Sequence, residues 1–384
     1  MRKSVRVFIL YTIKYRIKKI YILNLRINSA VKKTCLICFT SSQSVISDTF
    51  KEVYSCLENN KNIFFFASKF CLPTDTINKN SISFHYLKNK KDFFKILSLV
   101  IELNKFIKKN KIESIFIFST IPINSLISYI IPKNVSITYY LHDPIPHSGE
   151  NTIFKTIKYY DDILLSQKVK KVLISSDYIK KDLLQTSFKN TDYSILPLPL
   201  VDSLVTYKNF DTFKKSIIFF GRIEKYKGLD WFFESLIKYG NFFKEKNVPI
   251  YIIGKGILPE NIKQAIENGF NIVLDNNYVS NEKLATLINE SKVAIFPYRD
   301  ATGTSAIQTA GAMGLWPIVS DVGGLKESCI NQFSSIVDSN DQKKFIEHMI
   351  EAYLNEISPT EISNAYRKKY SIDIFSQKLI DLIV

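Results

Sequence analysis

"SIIFFGRIEKYKGLDWFFESL", residues 216–236, opens with five residues of which four are large and apolar, and stops at Gly221. A short polar turn carrying Arg222, Lys225 and Lys227 follows, and Gly228 leads into "LDWFFESL", which has helical period. An apolar run without alternation is a strand buried on both faces. A loop and an amphipathic helix directly after it are what a parallel sheet requires. The same grammar runs through the chain. Strand candidates in the first half are "LICF", "NIFFFAS", "ISFHYL", "SIFIFS", "SITYYLH", "KVLISS" and "YSILPL". In the second half they are "SIIFFG", "VPIYIIG", "NIVL", "VAIFPY", "PIVS" and "SSIVD". Helices are expected near 92–109, 151–170, 229–239, 259–268, 281–291, 304–314 and 341–355. The polar stretch 201–215, "VDSLVTYKNFDTFKK", separates two such patterns. The expected fold is therefore α/β, with two doubly wound domains in tandem. Ligands of such sheets bind at the carboxyl ends of the strands, which places the site in the cleft between the halves.

The chain has 384 residues, more than one core accommodates. Its composition, 46% hydrophobic and 23% charged, is that of a globular protein and excludes wholesale disorder. The net charge of +16 is uneven: residues 1–200 hold 31 Lys and Arg against 14 Asp and Glu, and residues 201–384 hold 21 against 22. A basic first half suits an anionic partner such as a membrane surface, an acidic glycan or nucleic acid. No nucleic-acid module is recognisable, so nucleic acid is not expected. Five cysteines without disulfide-like spacing fit a reducing compartment. Cys35 and Cys38 form C-x-x-C, but on a strand they face opposite ways, and no zinc pattern accompanies the four His. The basic, apolar segment 1–30 has neither a membrane-spanning run nor a signal-peptide pattern, and is read as an extension or an interfacial segment. A cytoplasmic protein is expected, peripheral on the inner face of the membrane.

Arg222 and Lys227 stand at the carboxyl end of a strand, beside the start of a helix. Two cations there suit a diphosphate; a solvated basic loop is the plainer alternative. In "YRDATGTSAIQTAGAMG", 298–314, Thr302, Gly303, Thr304 and Ser305 precede a helix after the strand "VAIFPY". They either cap that helix or offer backbone amides and hydroxyls to an anion. His142 and Asp143 follow the strand "SITYYLH" in a loop stiffened by two prolines, where a His serves a turn or a ligand equally well.

"FFGRIEKYKGLD" together with "FPYRDATGTSAIQTAGAMGLWPIVSDVGGLKE" resembles the donor-binding half of retaining, nucleotide-sugar-dependent glycosyltransferases of family 4. The likeness is strong over about 216–330, moderate at "YYLHDPIPHSG", 139–149, and faint elsewhere in the first half. It implies the GT-B fold, two Rossmann-like domains facing across a cleft. The expected division is an extension over 1–30, an acceptor-side domain over 31–203 and a donor-binding domain over 204–365. A C-terminal helix over 366–384 would be able to pack back on the first domain. On this resemblance Arg222 and Lys227 match the cations that hold the donor diphosphate and offset leaving-group charge, with Gly221 beside them. Gly303 to Ser305 match the loop whose amides meet the phosphates, and Thr302 precedes them. His142 matches a catalytic His on the acceptor side, with Asp143 and His147 as substrate contacts. Glu327 matches a commonly acidic end of the "GGLKE" loop. Many members also carry two Glu seven residues apart, one for the sugar and one for the ribose. Here the second position is Thr309, and the first is Ala301 with Asp300 adjacent, so Asp300 is the candidate for the sugar.

The implied activity is transfer of a sugar from a nucleotide-diphosphate donor, UDP- or GDP-linked, to a glycan or lipid-linked acceptor in cell-surface polysaccharide or lipopolysaccharide synthesis. Retention of configuration, no metal and no cofactor are expected. A phosphorylase of the same fold would need a Lys-bound pyridoxal phosphate, for which no sequence context is visible. A catalytically silent glycan-binding scaffold is the alternative that the absent Glu supports.

Overall fold

The computed structural model describes residues 32–40, 45–72, 80–84, 93–118, 124–142, 144, 152–211 and 214–383. The extension 1–30 and the loop residues Asp143 and His147 lie outside them. Each expected strand is present. The first seven are β1 (Thr34–Cys38), β2 (Ile63–Ser68), β3 (Ser81–Phe84), β4 (Ser114–Ile117), β5 (Ser136–Leu141), β6 (Lys171–Ile174) and β7 (Asp192–Ile195). They form one parallel sheet in the order β3-β2-β1-β4-β5-β6-β7. The remaining six are β8 (Ser216–Phe220), β9 (Ile250–Ile253), β10 (Ile272–Asp275), β11 (Ser291–Phe296), β12 (Trp316–Ser320) and β13 (Ser335–Val337). They form a second parallel sheet in the order β10-β9-β8-β11-β12-β13.

The lack of alternation in the strand sequences has its cause in burial. Every residue of β1, β2 and β8 is buried, because helices cover both faces of each sheet. Cys35 and Cys38 go into cores on opposite faces of the first sheet, as strand geometry requires. Aromatic residues fill both layers. Phe66 packs on Phe84 and Phe106 on one face, while Phe65 packs on Phe50 and Tyr54 on the other.

The chain end departs from the single helix expected over 366–384. Two helices are present, Pro359–Tyr370 and Ile372–Ile383, separated by Ser371 in an extended conformation. Tyr366 and Tyr370 belong to the core of the second sheet. Ile372, Phe375, Leu379, Ile380 and Ile383 belong to a core of the first. One non-helical residue redirects the chain from one apolar layer to the other, and helical periodicity continues on both sides of it. That continuity is why the break is invisible in the pattern.

In both sheets the strand order reverses at the pair formed by the first and fourth strands, β1/β4 and β8/β11. Such reversals open a crevice at the strands' carboxyl ends.

Candidate active site

A cavity of about 460 Å³ lies where the two crevices meet. From the second sheet it is lined by Gly221, Arg222, Tyr226 and Lys227 after β8, and by Tyr298 and Ala301 to Ala306 after β11. From the first it is lined by Phe118, His142 and Ser175.

Lys227 sits on a single turn of 3-10 helix, Lys225–Lys227, and is only 8% exposed. Its Nζ lies 5.1 Å from the Tyr298 ring centroid and 5.8 Å from that of Phe219. No carboxylate pairs with it among the described residues. Burial, with Arg222 also contributing, pulls its pKa below that of a free lysine, against smaller opposing effects of Tyr226 and Glu224. A buried ammonium stacked on aromatic faces without a counter-ion is costly for the fold and well placed for an anionic ligand. Arg222 is exposed and lines the same cavity. A β-carbon at Gly221, whose φ is +112°, would come within 3.2 Å of the Lys227 Nζ, so glycine keeps this approach open.

The loop after β11 faces this cation. Pairing of β8 with β11 brings the two loops side by side, and the Arg299 backbone N–H donates to the Tyr226 carbonyl at 2.7 Å. Thr304 is the N-cap of the helix Ser305–Ala312, its hydroxyl accepting from Ala306 N–H at 3.2 Å. Capping and a ligand-facing loop therefore coexist: the cap uses the Thr304 hydroxyl, while Thr302, Gly303, Thr304 and Ser305 all line the cavity. Arg299 is engaged in structure, stacked on Trp231 and bonded to the Ser339 carbonyl.

On the opposite wall His142 follows β5. Its ring packs edge-on against Tyr140 at 4.5 Å and Phe118 at 5.3 Å, which fixes its plane.

Two sequence-derived candidates lie elsewhere. Asp300 does not line the cavity. It is exposed, and its charge helps raise the pKa of Asp182 in the first domain, after burial. Glu327 lies outside the cavity too. Its carboxylate accepts from the backbone N–H groups of Asp177 at 2.7 Å and Tyr178 at 2.8 Å, just after β6 of the first sheet. Nearby, the Ser176 hydroxyl donates to the Thr302 carbonyl at 3.4 Å. Glu327 thus ties the two domains together next to the cavity-lining loop Thr302–Ser305. Glu327→Ala is expected to weaken the cavity's affinity for a nucleoside diphosphate about fivefold to tenfold, if one binds there, since a hydrogen bond to a charged group contributes about 1.5–3 kcal/mol before discounting for exposure. Small-angle scattering should show a larger radius of gyration for the variant. Unchanged dimensions and affinity would mean that the contact does not hold the two domains together.

Thr309, at the position where the resemblance implies a Glu, is 1% exposed. Its hydroxyl donates to the Ser305 carbonyl at 2.7 Å and accepts from Val201 N–H at 3.0 Å. The position ties its helix to the interdomain connection and presents no carboxylate. Sequence reasoning missed Tyr298. Its hydroxyl is buried at the cavity beside the Thr304 side chain, and burial raises its pKa against smaller lowering effects of Thr304 and Arg222. Its place directly after β11, two residues beyond Phe296, is the signal that could have found it.

Residues 214–355 match the family model "Glycosyl transferases group 1". A comparison with curated proteins finds no match. Among solved structures, the chain is similar to a glycosyltransferase from Rickettsia africae ESF-5, at 18% identity and a TM-score of 0.65, covering 91% of this chain and 97% of that one. It is similar to sucrose-phosphate synthase from Thermosynechococcus elongatus, at 13% identity and a TM-score of 0.62, over 91% and 98%. It is also similar to Anabaena Alr3699/HepE in complex with UDP, at 11% identity and a TM-score of 0.64, over 91% and 99%. The architecture is the GT-B fold, two Rossmann-like domains facing across a cleft.

Proposed function

We propose that the protein is a glycosyltransferase that takes a sugar from a nucleoside-diphosphate donor and passes it to a glycan or lipid-linked acceptor. The observation that carries this reading is Lys227, a buried ammonium with no counter-ion among the described residues, opposite a helix N-terminus in an interdomain cavity. A diphosphate would supply the missing negative charge. As the glycosidic bond to the donor breaks, charge grows on the departing diphosphate. Lys227 and Arg222, with the amides of Gly303 to Ser305, are placed to stabilise it. His142 lies across the cavity, on the side where an acceptor and the transferred sugar would meet. Retention of configuration without a metal fits this arrangement, which relies on leaving-group stabilisation and not on a pair of carboxylates. The matched family model over the second domain supports glycosyl transfer, and the UDP complex of a similar fold supports a UDP-type donor.

Thermal melts with UDP, GDP, ADP and their sugars test this. The correct nucleotide at a hundredfold excess over Kd should stabilise the chain by about 2.7 kcal/mol, and Arg222→Ala should lose most of that shift. No shift with any nucleotide would sink the reading. A second reading, a nucleotide-binding scaffold without turnover, is favoured by Thr309 in place of a carboxylate. It predicts binding with no release of nucleoside diphosphate in the presence of any acceptor.

A further inference from the structure

The helix Thr152–Ser166 buries Leu165 in the core of the first domain, yet it also buries charge and leaves large apolar side chains exposed. Its inward side carries charge: Lys158 and Asp161 are each 7% exposed. Asp161 accepts from the backbone N–H groups of Asn124 at 3.2 Å and Ser125 at 3.0 Å, and from the Ser125 hydroxyl. Lys158 pairs with Asp162. The outward side carries Ile157 at 49%, Tyr159 at 63%, Tyr160 at 61% and Leu164 at 43% exposure. Ile157, Tyr160 and Leu164 follow the i, i+3, i+7 spacing of one helical stripe. The neighbouring helix Asn124–Ile130 extends the surface with Leu126 and Tyr129, both also exposed.

The charge around this surface is positive. Lys168 lies 4.9 Å from the Tyr129 ring centroid, and Lys170 is exposed beyond the helix end. Lys105 and Lys108 are exposed on the helix Phe93–Asn110, which packs beside Asn124–Ile130 and carries one exposed acid, Glu102. The acids of Thr152–Ser166 itself, Asp161 and Asp162, are turned inward or paired. Residues 1–200 hold the whole positive excess of the chain. Exposed tyrosines and aliphatics rimmed by lysine match the boundary of a bilayer that contains anionic lipid. There the rings sit at headgroup level and lysine stems reach the phosphates. The geometry points to this face, centred on Ile157, Tyr160 and Leu164, as the surface by which the protein docks peripherally on an anionic phospholipid membrane. The inference is independent of which sugar or nucleotide the cavity takes.

Co-sedimentation of the full chain with vesicles of phosphatidylcholine, with or without 30% phosphatidylglycerol, tests it. The wild type should partition to the anionic vesicles at low salt and weaken as salt rises. The triple variant Ile157→Ser, Tyr160→Ser, Leu164→Ser should lose at least tenfold in partition while keeping the wild-type melt. Should that variant fail to fold, Tyr160→Trp decides instead: brominated anionic lipid should quench the added fluorescence beyond the wild-type background. Several results would overturn the proposal. They are no binding by the wild type, equal binding to neutral vesicles, unchanged partition of the folded triple variant, or no added quenching of Tyr160→Trp. A wild-type dimer that the triple variant converts to monomer would assign the face to a second copy of this chain.

Discussion

Lys227→Met is expected to lower transfer about 10²- to 10³-fold and to leave the unliganded protein as stable as before, or more so. The loss follows from removing one donor that faces developing negative charge inside a cavity, where such groups typically contribute about 2.7–4 kcal/mol. The stability follows from burial. Lys227 is nearly inaccessible and has no carboxylate partner among the described residues, so its charge is desolvated without compensation until a ligand arrives. Methionine fills a similar volume without that charge, and a gain of about 1 kcal/mol would raise Tm by roughly 2–4 °C. The pH dependence has a definite sign. The folded-state pKa lies below that of the unfolded chain. The stability penalty from charging Lys227 is therefore complete below the folded value and fades as pH rises from there towards the unfolded value. Over that same window the wild type loses the cation needed for the diphosphate, so its turnover should fall at lower pH than an ordinary lysine would dictate. Calorimetry and nucleotide-release assays on both proteins check this. A destabilised Lys227→Met that still turns over normally would make Lys227 a structural residue.

Gly228→Ala is expected to be strongly damaging to the second domain. Gly228 has a φ of +67°, and an added β-carbon would lie 2.0 Å from the Pro297 carbonyl oxygen. The left-handed backbone alone costs about 1–2 kcal/mol with a side chain, and the clash forces the turn away from the end of β11. A total loss of at least about 3 kcal/mol would lower Tm by roughly 6–12 °C. The same shift carries Lys227 away from Tyr298, so donor affinity should fall as well. Gly303→Ala is the control. Its β-carbon would meet only the Ser175 hydroxyl at 3.4 Å, and its melt should stay near the wild type. Equal melts for both variants would mean that the turn accommodates the methyl by moving.

The distribution of apolar residues alone determined that this chain builds two parallel sheets. Runs such as "SIIFF" and "IFFFAS" are too continuous for a sheet with a wet face, and each of them proved to be a strand buried on both sides. Gly221, Arg222 and Lys227 were legible for a related reason. A glycine and two cations between a strand and a helix are local features, and local geometry places them at the strand's carboxyl end. What the cation does was not local. Lys225 and Lys227 are both lysines in one polar turn, yet the fold leaves Lys225 in water and slides Lys227 between Tyr298 and Phe219. Glu327 and Thr309 show the same limit. Their chemistry is plain in the sequence, but their partners, 149 and 150 residues away for Glu327 and 108 for the Thr309–Val201 bond, belong to other elements. The helix Thr152–Ser166 shows it most clearly. Its periodicity announces an amphipathic helix, but whether Lys158 and Asp161 or Tyr160 and Leu164 turn inward depends on what the neighbouring helix offers to bond them. The N–H groups of Asn124 and Ser125 donate to the Asp161 carboxylate and hold it inward, and that contest between burial and hydrogen bonding is decided only when the elements meet.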